Sequence, residues 1–206
     1  MWWQGEEDCP EVVKLCWASI RKHCGSHKLI IITKDNYQEY ITLPEHVLAK
    51  AESGSICLAH LSDVIRFYLL TKYGGLWIDS TIFVAKDIPE EIFSMEFFTI
   101  KRVKDHDYST IAISLGRWTG YLLGARDSNS LLFTYLADFL SEYWKAEDEA
   151  ITYTFFDHII AIALEEFPEF YRAWSSLPVN NTDSWGLSRR LINKPWNPEE
   201  YSQLTA

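Results

Sequence analysis

The chain lacks several features that would define its class at once. No apolar run is long enough to cross a bilayer, and no basic stretch followed by an apolar one precedes the first acidic cluster. We therefore expect neither a membrane-spanning helix nor a signal peptide, which leaves peripheral contact with a membrane open. Lysine and arginine total 19 against 29 acidic residues, a formal net charge of −10. Such a balance argues against a nucleic-acid partner bound through its phosphates.

Cysteine is scarce and follows no recognised pattern. The four cysteines, Cys9, Cys16, Cys24 and Cys57, form no C-x-x-C pair and lack the spacing of a metal site. We expect reduced thiols and a cytoplasmic protein. Repeats, low-complexity segments and linkers are absent too, and 206 residues with 48% hydrophobic content suit a single globular domain over residues 1–206.

What the sequence does contain is centred on one helix and the strand after it. Apolar residues at helical spacing predict a helix over residues 55–73. Gly74 and Gly75 end it, because glycine takes left-handed conformations without strain. Residues 76–78 are typical of a short buried strand, which ends at Asp79. A carboxylate at the carboxyl end of such a strand lies where α/β sheets usually bind ligands.

The rest of the chain predicts alternating helices and strands. Helices are expected at Glu11–His23, 47–52, 129–144 and 153–167, a brief helix or turn at 88–91, and strands at 29–33, 80–84, 97–100, 110–113 and 118–125. This order indicates an α/β fold with a mixed, mostly parallel central sheet flanked by helices. We expect strands 29–33 and 76–78 to be parallel neighbours joined by a right-handed crossover.

Two polar residues of the predicted central helix need an explanation. Asp63 and Arg66 are three residues apart and share one helical face with Ser62. One explanation is an ion pair that only stabilises the helix surface. The other is that both side chains converge with Asp79 on one cleft. Because the helix leads through two glycines directly to the strand ending in Asp79, we favour the cleft.

These residues resemble the signature of a known family. The similarity to capsular polysaccharide synthesis proteins, and to the wider class of DXD sugar-binding glycosyltransferases that includes mannosyltransferases, rests on Ser62-Asp63-x-x-Arg66, Leu70, Tyr73-Gly74-Gly75-x-Trp77-x-Asp79 and the opening Trp2-Trp3-Gln4-Gly5. It is strong to about residue 84 and weak beyond about residue 174. The resemblance implies a GT-A-like domain, with a nucleotide-sugar-binding half at about 1–84 and an acceptor-side half at about 85–206. It also implies that the C-terminal tail is truncated, because members of the family usually continue further.

The resemblance further implies a retaining glycosyltransferase that moves a sugar from a nucleotide-sugar donor to a polysaccharide or glycan acceptor. Asp63 and Arg66 look like its sugar-binding pair, since a carboxylate accepts hydroxyl bonds and a guanidinium presents a fork of donors. The resemblance also implies that Trp3 and Gln4 flank the nucleotide. It assigns Ser62 and Gly75 to the donor site as well.

A divalent metal, Mn²⁺ or Mg²⁺, is the cofactor that the resemblance suggests. Asp79 matches the first aspartate of the D-x-D motif, but Thr81 stands in place of the second. One carboxylate and one hydroxyl make a weak site for a hard cation, although a diphosphate could add oxygens. Asp79 and Thr81 are therefore candidate metal ligands.

Asp157 is a further candidate for a catalytic role. It lies at the start of the predicted helix 153–167, where an aspartate often only compensates the helix dipole, so both roles stay open. His60 lies one turn before Asp63 and is a candidate to reach the cleft. His158 is expected on another face.

Two other functions fit parts of the sequence. A module that binds a nucleotide sugar without transferring it fits the single carboxylate of Asp79-x-Thr81 and the truncated tail. An aspartate-based phosphatase also places its nucleophile after an apolar strand, but such enzymes need a second aspartate where Thr81 stands.

Overall fold

A computed structural model describes residues 1–102, 113–181 and 193–205, so most of the expected strand 110–113 lies outside the described residues. The helices are α1 Glu11–His23, α2 Tyr37–Tyr40, α3 Glu45–Ser53, α4 Leu58–Tyr73, α5 Leu131–Ala146, α6 Phe155–Glu166, α7 Pro168–Ser176 and α8 Pro198–Thr205, with a 3₁₀ helix at Glu90–Ser94. The strands are β1 Gly75–Ile78, β2 Phe98–Thr99 and β3 Leu122–Ala125.

The strands form one antiparallel sheet in the order β1-β3-β2. β1 pairs with β3 from Gly75 opposite Ala125 to Ile78 opposite Leu122, and β2 pairs with the other edge of β3. A backbone bond of 2.9 Å from the Asp79 N–H to the Tyr121 carbonyl continues the first pairing by one residue. Pairing with β3 thus fixes the backbone of Asp79.

The expectation of a mostly parallel central sheet is wrong for the described residues. Residues 29–33 form no strand, and β1 is an edge strand instead of their central neighbour. Both segments line one cavity of about 520 Å³, but β1 pairs with β3 and not with residues 29–33. The backbone bonds of this region instead run from Trp2 N–H to the Ile32 carbonyl and from Lys34 N–H to the Trp3 carbonyl. A β-branched apolar run has strand propensity, but propensity does not select a partner.

Residues 80–84 are the second segment that was expected to be a strand and is not one. The chain turns directly after β1, where the Ile82 N–H donates to the Asp79 carbonyl at 3.0 Å. The turn prevents side chains after Asp79 from alternating as they would on a regular strand. The expected strands 97–100 and 118–125 do form, as the shorter β2 and β3.

The long helices form where the periodicity of the sequence predicts them. α1 spans the expected residues, and α4, α5 and α6 each lie within three residues of the expected start and two of the expected end. α4 is the central helix, because its apolar residues are buried and its Phe67 ring packs on Phe133 of α5 at 6.1 Å. Burying one such side chain contributes about 1.5–3 kcal/mol. None of the described helices combines the length and apolarity needed to cross a membrane.

Gly74 ends α4 and sets the direction of β1. Its backbone has φ 66° and ψ −142°, a combination that costs residues with a Cβ about 1–3 kcal/mol. A Cβ at position 74 would also lie 2.9 Å from the carbonyl oxygen of Ala125 and 3.0 Å from that of Asp127. Glycine is therefore required both for the turn and for the close approach to the chain after β3.

We predict that Gly74→Ala lowers the free energy of unfolding by more than the backbone strain alone, because the new methyl group meets fixed backbone atoms. Gly75→Ala is the matched control, since Gly75 also has a positive φ of 80° but a Cβ at that position would have no other atom within 4 Å. Urea unfolding of both variants measures the difference. Equal losses of unfolding free energy in the two variants would show that the contact with Ala125 does not affect stability.

Candidate functional site

One cavity of about 650 Å³, here called the central cavity, collects polar side chains from distant parts of the chain. Its walls come from α4, from the turn after β1, from the loop before β3 and from the start of α6. The polar and charged residues that matter below are Ser62, Asp63 and Arg66, then Asp79 and Thr81, and finally Asp157. The structure thus brings the four predicted catalytic residues to one place.

Arg66 is the centre of this cavity. Only 5% of its side chain is exposed, and its Nη1 lies 3.3 Å from Asp63 Oδ1 while its Nη2 donates to Asp79 Oδ1 at 3.1 Å. The guanidinium carbon lies 5.1 Å from the Trp77 ring and 5.5 Å from the Phe156 ring. Nε of Arg66 is buried and has no hydrogen-bond partner among the described residues. A buried donor without a partner costs about 1–3 kcal/mol, so this position of Arg66 must be stabilised by its other contacts.

Helix and strand geometry explain why these groups meet. Asp63 and Arg66 lie on one face of α4, and Gly74 redirects the chain so that Asp79 reaches the same guanidinium. Gly120 makes room on the opposite side. A Cβ there would lie 2.2 Å from Phe156 Cζ and 3.2 Å from Arg66 Nη1. The close backbone approach at Gly120 therefore allows Arg66 and Phe156 to occupy their positions.

Two buried indoles orient two of the carboxylates. Trp77 Nε1 donates to Asp79 Oδ1 at 2.6 Å, and Trp118 Nε1 donates to Asp157 Oδ1 at 2.7 Å. Neither role was predicted from the sequence. The first was detectable, because Trp77 and Asp79 are two residues apart and lie on the same side of an extended chain. Trp118 and Asp157 are 39 residues apart, and no local pattern connects them.

Asp63 has an unusual proton affinity. Burial raises its pKa from 3.8 to about 7, and the charges of Asp79 and Asp157 act in the same direction. Arg66 opposes this effect, and an ion pair at 3.3 Å would by itself lower the pKa. Because Arg66 is shared with Asp79, its attraction does not offset the loss of water. Near neutral pH, Asp63 can therefore both donate and accept hydrogen bonds.

Asp157 also holds its proton more tightly than usual. Burial raises its pKa, while the hydrogen bond from Trp118 and the charges of His158 and Arg66 lower it. His158 itself is exposed, on another face of α6, as predicted. His60 is absent from the wall of the central cavity and instead contacts Tyr153 and the Trp144 ring at its rim.

The predicted nucleotide-binding residues are distributed unevenly. Ser62 lines the central cavity, whereas Gly75 lines the cavity of about 520 Å³ on the other side of Trp77. Trp3 packs against Tyr37 with ring centroids 5.3 Å apart, and Gln4 is exposed. In their place, Met1 and Trp2 line the central cavity.

The predicted metal ligands Asp79 and Thr81 both line the central cavity, with Thr81 exposed after the turn. Asp79 Oδ1 is occupied by Arg66 and Trp77, which leaves Oδ2 for a ligand. No group of three or more metal-ligating side chains occurs in the part of the chain that the structure describes. These residues do not build a site for a hard cation by themselves, because most of its oxygen ligands would have to come from elsewhere.

The geometry first defines a class of site: a polar cavity in which one buried arginine is shared by carboxylates, suited to a ligand rich in hydroxyl or phosphate oxygens. Comparison with protein families then gives the family. The family described as "Capsular polysaccharide synthesis protein" matches residues 1–206, so the chain belongs to it. Searches among curated proteins and solved structures found no match.

The raised pKa of Asp63 predicts a stability that depends on pH. The folded protein keeps this proton where the unfolded chain has lost it, so between pH 3.8 and about 7 the folded state binds more protons. The free energy of unfolding should therefore fall as the pH rises through this range, by about 1.4 kcal/mol for each pKa unit.

Asp63→Asn should remove this decline and give a protein more stable than the wild type at pH 8, since a neutral amide has no charge to desolvate. Urea unfolding at pH 5, 6, 7 and 8 provides the measurement. Asp35→Asn, at an exposed position, is the control and should keep the wild-type slope. An unchanged slope in Asp63→Asn would contradict the assignment of the proton to Asp63.

Proposed function

We propose that this chain is a retaining glycosyltransferase that transfers a sugar from a nucleotide-sugar donor to a polysaccharide or glycan acceptor. Membership of the capsular polysaccharide synthesis family supports a role in making capsular or surface polysaccharide. The relationship to DXD mannosyltransferases, the GT-A-like fold and the cytoplasmic location that the sequence indicates belong to the same proposal.

The observation that carries the proposal is the meeting of Asp63, Arg66 and Asp79 around one guanidinium in the central cavity. Sugar recognition needs fixed groups that accept and donate hydrogen bonds to several hydroxyls at once. Asp63 supplies both functions near neutral pH because its pKa is about 7. Arg66 lies beside Asp63 and adds the N–H donors of its guanidinium fork to the same site.

The charge of the site suits a donor that carries a diphosphate. When Asp63 holds its proton, the cavity that also contains Asp79 and Asp157 carries one negative charge fewer. Arg66 and Arg102 both line this cavity, and their positive charges would stabilise the negative charge that a leaving diphosphate gains. The protein's own arginine side chains can therefore neutralise part of the charge of the diphosphate.

Asp157 has the features of a group facing the acceptor. Trp118 holds one of its oxygens, and burial raises its pKa, which makes the carboxylate a better base than an exposed aspartate. In the proposed reaction the bond from the anomeric carbon to the diphosphate breaks and a bond to the acceptor oxygen forms. Asp157 is the candidate to take the proton that the acceptor hydroxyl loses.

A divalent metal, Mn²⁺ or Mg²⁺, would supply further charge neutralisation for the diphosphate. Asp79 Oδ2 and the Thr81 hydroxyl are the candidate ligands of the chain, and both residues line the central cavity. The donor and the glycan acceptor are the proposed partners, and no nucleic acid is expected.

The donor site is tested by calorimetric titration with UDP-glucose, GDP-mannose and the corresponding free diphosphates. We predict that Asp63→Ala weakens nucleotide-sugar binding by about tenfold or more, because a charge-assisted hydrogen bond contributes about 1.5–3 kcal/mol. Binding of the free nucleotide should change little, since Asp63 is expected to contact the sugar. Asp35→Ala is the control, and Arg66→Lys should also lose affinity because an ammonium cannot replace the fork.

Equal losses for nucleotide sugar and free nucleotide would place Asp63 away from the sugar. Slow hydrolysis of a bound donor by the wild type separates a transferase from a module that only binds. Release of phosphate from simple phosphomonoesters would favour an aspartate-based phosphatase instead.

The contribution of Asp79 is tested separately. We predict that Asp79→Asn lowers turnover of the donor by on the order of a hundredfold, the usual loss for a well-placed electrostatic group. Thr81→Asp should tighten Mn²⁺ binding in the presence of a nucleoside diphosphate, and Thr81→Asn controls for the added bulk. Identical Mn²⁺ affinity in the wild type, Asp79→Asn and Thr81→Asp would rule out a metal role for Asp79.

A further inference from the structure

The wall that α4 contributes to the central cavity is longer than the donor sugar needs. Ala59, Ser62, Asp63 and Arg66 all line the cavity. From Ala59 to Arg66 the helix rises about 10.5 Å, two turns of about 5.4 Å each. A pyranose ring is about as wide as one turn, so two rings fit end to end along this wall. The Arg66 end holds the groups proposed for the donor sugar, and the Ala59 end remains for a second ring.

Tyr153 stands at the Ala59 end. It lines the central cavity, and 73% of its surface is exposed. Tyr171 is also exposed, by 53%, but it is not part of the cavity wall. A large aromatic ring that is left open at the rim of a polar cavity provides a flat apolar face beside a hydroxyl group. Such a surface suits a sugar ring, which has apolar C–H faces and polar edges.

His60 of α4 contacts the backbone of Tyr153 and lies beside its ring. His60 Nε2 lies 3.2 Å from the Tyr153 carbonyl oxygen, and the two rings lie 6.1 Å apart. His60 in turn packs against the Trp144 ring at 5.8 Å, and Trp144 is buried. Tyr153 is thereby connected to the core through His60. A tyrosine side chain has few rotatable bonds, so it offers contact area at little cost in conformational entropy.

We propose that Tyr153 is the stacking platform for the first sugar ring of the glycan acceptor. The ring lies on Tyr153 beside Ala59, whose small side chain leaves space for it, and a hydroxyl group points along α4 toward Asp157 and the donor. This inference rests on the proposed function, because it assigns the second half of the same cavity. The competing occupant of this end is the base of the nucleotide.

The test compares Tyr153→Ala, Tyr153→Phe and Tyr171→Ala with the wild type. Maltose, cellobiose and lactose are the probes, and their binding is followed by saturation-transfer NMR titration. UDP-glucose and GDP-mannose are titrated calorimetrically with the same samples. We expect Tyr153→Ala to weaken saccharide binding by about tenfold, the effect of losing one aromatic contact. Tyr153→Phe keeps the ring and should bind as the wild type does, as should Tyr171→Ala.

Nucleotide-sugar affinity should be unchanged in all three variants. A loss of nucleotide-sugar affinity in Tyr153→Ala that equals its loss of saccharide affinity would assign this end to the base and overturn the proposal. Absence of saccharide binding to the wild type, or equal saccharide binding in the wild type and Tyr153→Ala, would overturn it as well. If nucleotide sugars bind in either case, the proposed function stands without the platform. If no nucleotide sugar binds to the wild type, the proposed function itself is wrong.

Discussion

The compensation of one buried charge determines the geometry of the central cavity. Arg66 stays ionised in a protein, and only 5% of its side chain is exposed, so nearby carboxylates must balance it. Asp79 after β1 provides that balance, together with Asp63 of the same helix when Asp63 is ionised. Because both ion pairs end on one guanidinium, the end of β1 cannot shift relative to α4 without breaking one of them.

The same burial has a second effect, on Asp63. An exposed i,i+3 ion pair on a helix would leave its aspartate ionised and contribute little to stability. Here the apolar surroundings of α4 remove water from the pair, which raises the pKa of Asp63 to about 7, and the negative charges of Asp79 and Asp157 act in the same direction. The buried position of α4 therefore explains both its packing in the core and the raised pKa of Asp63.

Local patterns predicted the helices and the meeting of Asp63, Arg66 and Asp79, because helical periodicity and a glycine stop act over a few residues. They failed for residues 29–33, where β-branched residues indicate a strand but pairing depends on distant backbone. They also missed Trp118, since a hydrogen bond to Asp157 is a property of the folded chain. Local propensities thus limit which elements can form, and tertiary contacts determine which of the possible strands form and which elements meet.

The two halves of the central cavity differ in how far apart their parts lie along the chain. Arg66 and Asp79 are 13 residues apart, whereas the contact of Tyr153 with His60 closes a loop of 93 residues. Closing a longer loop costs more entropy, and a larger share of contacts between distant residues slows folding. The ion pair of Arg66 with Asp79 therefore closes a short loop between a helix and the strand that follows it, whereas the rim at Tyr153 depends on a contact that is more costly in entropy to close.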